Sequence, residues 1–280
     1  MLRPATAADR ADLVALVIAE DAAWSSGPTP SAEEAAEYVD QCAPGMVFER
    51  DGRVAGYAAV GEGGDAILLA DPDVDPGPAL EPLVAWLREQ GQDELDTYAA
   101  DEKRIAWFEA HGFAHRRSVF DLHRGVAPSL PPPAWPDGIS LAPYRAGTDD
   151  AGAYDLIYVD AAWDEVPGHN HRPLDAWLAM FTPEYDGWIA RRGEQPVGWI
   201  SGRLFEDRRG WIQQLAVARS ERGRGLGRAL LLHALGALCE QGATSLALGV
   251  QGENDGAVRL YRDVGFAVTC EWRVYAAPQR

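Results

Sequence analysis

The sequence predicts an α/β fold of the mixed α+β kind. It has two tandem halves, each a mixed, mostly antiparallel sheet flanked by helices. Three observations predict this. Apolar spacing alternates between strand and helix patterns, with short turns between, which suggests one α/β layer system per half. A proline-rich stretch without periodicity, RGVAPSLPPPAWPDG (residues 124–138), divides the chain and reads as a stiff, extended linker. The segments on either side of that linker align with each other.

The alignment justifies the elements in order. LRPATAADRADLVALVIAEDAAW (residues 2–24) matches LAPYRAGTDDAGAYDLIYVDAAW (residues 141–163) without a gap. Both copies give a short strand, a proline, and a helix ending in Asp-Ala-Ala-Trp. MVFERDGRVAGYAAV then matches WIARRGEQPVGWISG, two strands joined by a turn that contains glycine. RIAWFEAHGF (residues 104–113) matches AVRLYRDVGF (residues 257–266), a helix closed by glycine and followed by a strand. A repeat this long means domain duplication rather than a solenoid. Domains are expected over residues 1–123 and 139–280, with 124–138 as the linker.

Bulk properties narrow the function. A length of 280 residues fits about two domains, and 47% hydrophobic with 24% charged residues is an ordinary globular balance. No apolar run approaches the ~20 residues of a bilayer span. The start, MLRPATAADRADLVAL, lacks the pattern of a secretion signal. Three scattered cysteines suit neither a disulfide framework nor a zinc site, so a reduced, cytoplasmic home is expected. The net charge of −18 divides into −14 over residues 1–125 and −4 over the remainder. Such acidity argues against nucleic acid as a partner, because phosphate backbones need a basic footprint. It is compatible with a cationic small-molecule acceptor. Self-association is left open.

Against this acidic background, one turn concentrates arginine and glycine. WIQQLAVA (residues 211–218) is an apolar strand, RSERGRG a turn, and LGRALLLHALGALCEQG a helix with leucines at helical spacing. A strand, a glycine-rich turn and a helix N-terminus together bind anions. Free N–H groups point outward there, and the helix dipole favours negative charge. Glycine lets the backbone approach the ligand closely. Arg222, Arg224 and Arg228 add charge, with Arg219 nearby. The P-loop pattern is excluded, because neither a lysine nor a hydroxyl residue follows Gly227. The dinucleotide fingerprint needs another spacing.

Arg222-Gly223-Arg224-Gly225-Leu226-Gly227 fits R/Q-x-x-G-x-G/A, and ENDGAVRLYRDVGF (residues 253–266) carries an Asn, an Ala, Leu-Tyr and Gly-Phe in order. With these two motifs the chain resembles the GCN5-related N-acetyltransferase (GNAT) superfamily, tightly over the second half and loosely over the first. The resemblance implies acetyl-coenzyme A as cosubstrate and no metal. The turn, Arg222 through Arg228, would hold the pyrophosphate. The strand before it would splay from its neighbour, so that the backbone of Leu215, Ala216 and Val217 pairs with the pantetheine arm as an added strand does. The N–H near Leu215 would also stabilise the oxyanion, and Asn254 would touch the cofactor.

The implied reaction is direct attack of a small-molecule primary amine on the thioester, with Tyr261 giving the departing thiolate its proton. Gln213 stands where relatives carry a base. It cannot take a proton but can orient the amine or a water. Base candidates are Glu206, Asp207, Asp164, Glu165, His169 and His171, or a water relay. Trp163, Glu165, His169, His171 and Trp211 are expected to line the acceptor side. Trp211 and Gln213, two apart on a strand, share a face. His169 and His171 with their acidic neighbours lack a third ligand at metal spacing.

In the first half, Asp71, Asp73 and Asp75 stand where arginines are wanted, and the prolines among them remove N–H donors. Phe108 replaces the tyrosine, and Asp101 or a neighbour replaces the asparagine. That half therefore reads as non-catalytic. A different class, a non-catalytic acyl-coenzyme A binding or sensor protein, needs the turn but no tyrosine. The presence of Tyr261 favours the enzyme.

Overall fold

The computed structural model describes residues 1–40, 45–61, 64–127, 129–161, 163–166, 171–180 and 185–278. The chain forms two compact units, Met1–Phe120 with Thr269–Arg280, and Asp121–Val268. Early elements are β1 (Leu2–Pro4), α1 (Arg10–Trp24), α2 (Ala32–Asp40), β2 (Met46–Arg50), β3 (Arg53–Val60) and β4 (Ala66–Ala70). There follow α3 (Gly77–Glu89), β5 (Glu94–Tyr98), α4 (Glu102–Ala110), β6 (Ala114–Gly125) and β7 (Ile139–Pro143). Then come α5 (Asp150–Asp155), α6 (Leu174–Leu178), β8 (Tyr185–Arg192), β9 (Gln195–Leu204) and β10 (Arg209–Val217). The chain closes with α7 (Leu226–Glu240), β11 (Ser245–Gln251), α8 (Asp255–Asp263) and β12 (Ala267–Ala276).

In the first unit β1-β2-β3-β4 run antiparallel, and β5 pairs with the C-terminal strand β12, Tyr98 facing Trp272. Asp51 and Gly52 both take positive φ, 53° and 76°, the two-residue hairpin that an Asp-Gly pair favours. Strand alternation splits the core. Ala58 and Leu68 face α3 through Leu80, Leu83 and Leu87, while Tyr57 and Leu69 face α1 through Leu13 and Leu16. Burial on both faces explains why these strands read as apolar runs.

In the second unit β7-β8-β9-β10 are antiparallel and β11 joins β10 in parallel, the mixed, mostly antiparallel sheet expected. The α7 leucines 226, 230, 231, 235 and 238 are all buried. Gly198 on β9 lets the helix approach, since a Cβ there would stand 2.7 Å from Leu230 Cδ1. The duplication is visible in backbone bonds. Asp101 caps α4 by accepting the Arg104 N–H at 2.9 Å, as Asn254 caps α8 by accepting the Ala257 N–H at 3.2 Å. Likewise the Phe113 N–H bonds the Phe108 carbonyl, and the Phe266 N–H that of Tyr261. Among the described residues no helix is long and apolar enough to cross a membrane.

Candidate active site

The site begins where two parallel strands part. β10 pairs with β11 only from Arg209 to Ile212, against Ser245 to Leu248. At the same point the register with β9 shifts between Ile212 and Gln214, which makes Gln213 a bulge. From Gln214 to Val217, β10 stays paired with β9. The Ala218 N–H bonds the Val197 carbonyl, so by alternation Ala216 and Gln214 also face β9. The N–H and C=O groups of Leu215 and Val217 therefore point into the gap. That gap is a cleft of about 800 Å³, walled by both strand ends, the turn after β10, and α8.

Gly223 and Gly225 take positive φ, 74° and 87°, with nothing within 4 Å of where a Cβ would stand. They are glycine for the backbone path, not for lack of room. No side chain caps α7, and the first bond into it is from the Ala229 N–H to the Gly225 carbonyl. The N–H groups of Leu226, Gly227 and Arg228 consequently open on the cleft they line, with no protein acceptor among the described residues. That arrangement attracts anions.

The arginines divide their work. Arg222 reaches back, donating to the Ala161 carbonyl at 2.7 Å and the Val217 carbonyl at 3.3 Å. Ala161 ends a π-helical turn (Leu156–Asp160) that continues α5, its N–H bonding the Leu156 carbonyl. Arg222 thus ties the turn to the helix opposite. Arg219 pairs with Glu165, and Arg224 lies 3.6 Å from Glu221. Arg192 grips Glu221 through two bonds of 2.7 and 2.9 Å and holds its carboxyl below the usual range. Arg228 lines the cleft.

Tyr261 and Asn254 form part of the α8 wall. Tyr261 is buried, its ring edge-on to Phe266 at 6.2 Å, and its hydroxyl meets no protein partner among the described residues. Burial pushes its pKa up to about 12. The Asn254 oxygen is committed to capping α8, which leaves its NH₂ for other bonds.

Gln213 lines the cleft at the fork. Its Oε1 accepts from Trp211 Nε1 at 2.9 Å and from the Tyr185 hydroxyl at 3.5 Å. An indole N–H can only donate, so the Gln213 NH₂ is turned away from Trp211. Trp211 shares the face of Gln213 but lies outside the cleft wall and supports it from behind. Trp163 and Glu165 are on the wall. His171 is not; it meets the Tyr154 hydroxyl at 3.0 Å. Glu206 and Asp207 sit in the β9–β10 turn away from the cleft, Asp207 accepting the Arg209 N–H. His169 and the Asp164 side chain lie outside the described residues. Among those described, the carboxylates on the wall are Glu165, Glu221 and Glu253. No group of three or more potential metal ligands occurs among them.

Sequence reasoning missed Gln214. Its buried oxygen accepts from Trp177 Nε1 at 3.2 Å and Trp199 Nε1 at 3.1 Å, fixing the strand beneath the cleft. The available signal was a polar residue on the inward phase of an alternating strand.

This geometry has counterparts. Residues 154–266 match the acetyltransferase (GNAT) family. A mycothiol acetyltransferase of Gordonia bronchialis is 28% identical over 90% of this chain and 87% of its own length. That of Thermomonospora curvata is 26% identical over 94% and 92%. A GCN5-related N-acetyltransferase from Sphaerobacter thermophilus superposes with TM-score 0.82 at 24% identity, covering 98% of this chain and 94% of its own. A tandem GNAT protein from the clavulanic acid biosynthesis pathway gives 0.75 at 17%, covering 100% and 99%. Residues 154–266 are a GNAT acetyltransferase domain, the protein is an acyltransferase, and the whole chain has the fold of tandem GNAT proteins.

Proposed function

We propose that the second unit moves an acetyl group from acetyl-coenzyme A to a primary amine of a small molecule. One observation carries this reading: an open strand edge, an uncapped helix N-terminus and an unpartnered tyrosine hydroxyl share a single cleft. The helix end and Arg228 suit a pyrophosphate, and the gap-facing groups of Leu215 with the Val217 N–H suit an amide-bearing arm. Acetyl-coenzyme A supplies the thioester that the neutral amine attacks. The Leu215 N–H stabilises the oxyanion, and Tyr261 gives its proton to the departing thiolate. The proton lost by the amine leaves through water or a wall carboxylate, and Tyr261 is reprotonated from solvent. Gln213 orients the acceptor or a water and takes no proton.

The first unit takes no part in the chemistry. It has Asp71, Asp73 and Asp75 where the second has arginines, and Phe108 where the second has Tyr261. The relatives' name puts the unacetylated form of mycothiol first in a panel of amines. Thiol release from acetyl-coenzyme A, measured across that panel beside calorimetric binding, tests the proposal. Amine-dependent release is expected. Tight binding with release at the same slow rate for every amine would instead mark a sensor.

A further inference from the structure

In the first unit β4 and β5 pack near each other but do not pair, so β4 likewise has an edge without a strand partner, and something already fills it. Register defines the equivalence. Val217 faces Gly198 on β9, and the next residue, Ala218, bonds Val197. Ala70 faces Gly56 on β3, and the next residue, Asp71, bonds Ala55. Ala70 thus stands for Val217 and, two residues earlier, Leu68 for Leu215. The same alternation turns the free backbone groups of Leu68 and Ala70 away from β3. Matching helix caps make Arg104 the counterpart of Ala257.

At each of these two positions in the first unit one backbone group bonds to a side chain. The Ala70 N–H donates to Glu20 Oε1 at 2.8 Å, and Arg104 Nη1 donates to the Leu68 carbonyl at 3.1 Å. Arg104 and Glu20 are themselves paired, and Arg104 Nε lies 3.1 Å from Asp101 Oδ2. Glu20 and Arg104 are each 1% exposed. The remaining space there is about 10 Å³, against about 800 Å³ in the second unit. In the second unit a methyl group, Ala257, occupies the position from which Arg104 fills the first.

We infer that the Arg104–Glu20 pair is a built-in substitute for a pantetheine arm. It satisfies the strand edge that a cofactor satisfies in the second unit, seals the first unit's cleft, and leaves one acyl-coenzyme A site per chain. The physical need is general. A strand edge without a partner strand leaves buried amides and carbonyls that must bond to something. A unit without a ligand keeps such an edge inside only if side chains supply those bonds. An arginine gives donors to a carbonyl and a carboxylate accepts from an N–H, so the pair offers both polarities at the right places.

The inference rests on reading the second cleft as the acyl-coenzyme A site, and the test separates the two. Hydrogen exchange on the full chain without ligand is expected to find the Ala70 N–H at least about 100-fold slower than the Val217 N–H. Adding coenzyme A is expected to slow residues 213–218 and leave residues 66–71 unchanged. Calorimetry is expected to give one site per chain. Arg224→Glu with Arg228→Glu, on exposed positions of the second unit's turn, is expected to remove that heat without uncovering a second site. A stoichiometry of two, protection of 66–71 by coenzyme A, or a fast Ala70 amide overturns the inference. Absence of any heat sinks the reading of the second cleft, while the Ala70 rate still decides for or against the plug.

Discussion

The Tyr261 hydroxyl faces the cleft without a protein acceptor, and burial without a neighbouring charge pushes its pKa up to about 12. The neutral form is the favoured one, so the proton is present at every pH at which the protein is assayed. Two outcomes follow. Tyr261→Phe keeps the ring against Phe266 and the coenzyme A affinity, while kcat falls by about 10²–10⁴-fold, as for a lost general acid. In the native enzyme, kcat/KM rises with pH as the amine loses its proton, then stays level to about pH 10, because a group titrating near 12 adds no falling limb below that. A pH series of initial rates checks this, and a decline centred near pH 9 that persists in Tyr261→Phe belongs to another group. Gln214 supports the same region from beneath. Gln214→Leu removes the oxygen to which the buried indole N–H groups of Trp177 and Trp199 both donate. At about 1–3 kcal/mol for each buried bond lost, a stability loss of several kcal/mol is expected in a urea titration.

The turn and α7 act as one element, and their glycines do different jobs. Gly225 has φ 87° with open space around it, so Gly225→Ala meets only the backbone cost of that conformation, about 1–2 kcal/mol. A fall of a few degrees in Tm with about tenfold weaker coenzyme A binding is expected. Gly227 is helical, and a Cβ there makes ordinary contacts of 3.6 Å with Leu260 and Val217. Gly227→Ala should leave Tm unchanged or raised, because alanine is the better helix former. Any loss of affinity in that variant then measures how closely the ligand approaches the amide. Calorimetry and thermal melts on the two variants check both. This element was legible in the sequence, because glycine and arginine spacing and strand alternation are local. The roles of its arginines were not. Arg222 bonds Ala161 across 61 positions of chain, and the π-helical turn that presents Ala161 leaves no signature in residue spacing. The bulge at Gln213 was hidden too, since it depends on the partner strand's register.

At the scale of the whole molecule, the duplication was legible because both copies keep the same caps and helix ends, Asp101 with Asn254 and Phe108 with Tyr261. Residue types also showed that the first half lacks the arginines and the tyrosine. The plug was only half visible. Arg104 aligns with Ala257 in sequence, but Glu20 lies 84 positions away and only folding brings it there. Strand ownership was invisible, since a strand's alternation says nothing about which edge it joins. Thr269–Arg280 belong with the first unit, where β12 runs beside β5. Tyr275, 2% exposed, packs on Phe108 at 5.4 Å, and Trp272 lies over Tyr98 at 3.8 Å. A fragment of residues 1–125 therefore lacks one of its own strands. It bares the β5 edge and gives up the burial of Tyr275, worth about 1.5–3 kcal/mol for one large side chain. Such a fragment is expected to aggregate or to show no cooperative melt, and a peptide of residues 267–280 added in trans is expected to restore one. Circular dichroism and size-exclusion chromatography decide the matter. A monomeric 1–125 that melts as sharply alone as with the peptide would mean that β12 is dispensable to the first unit.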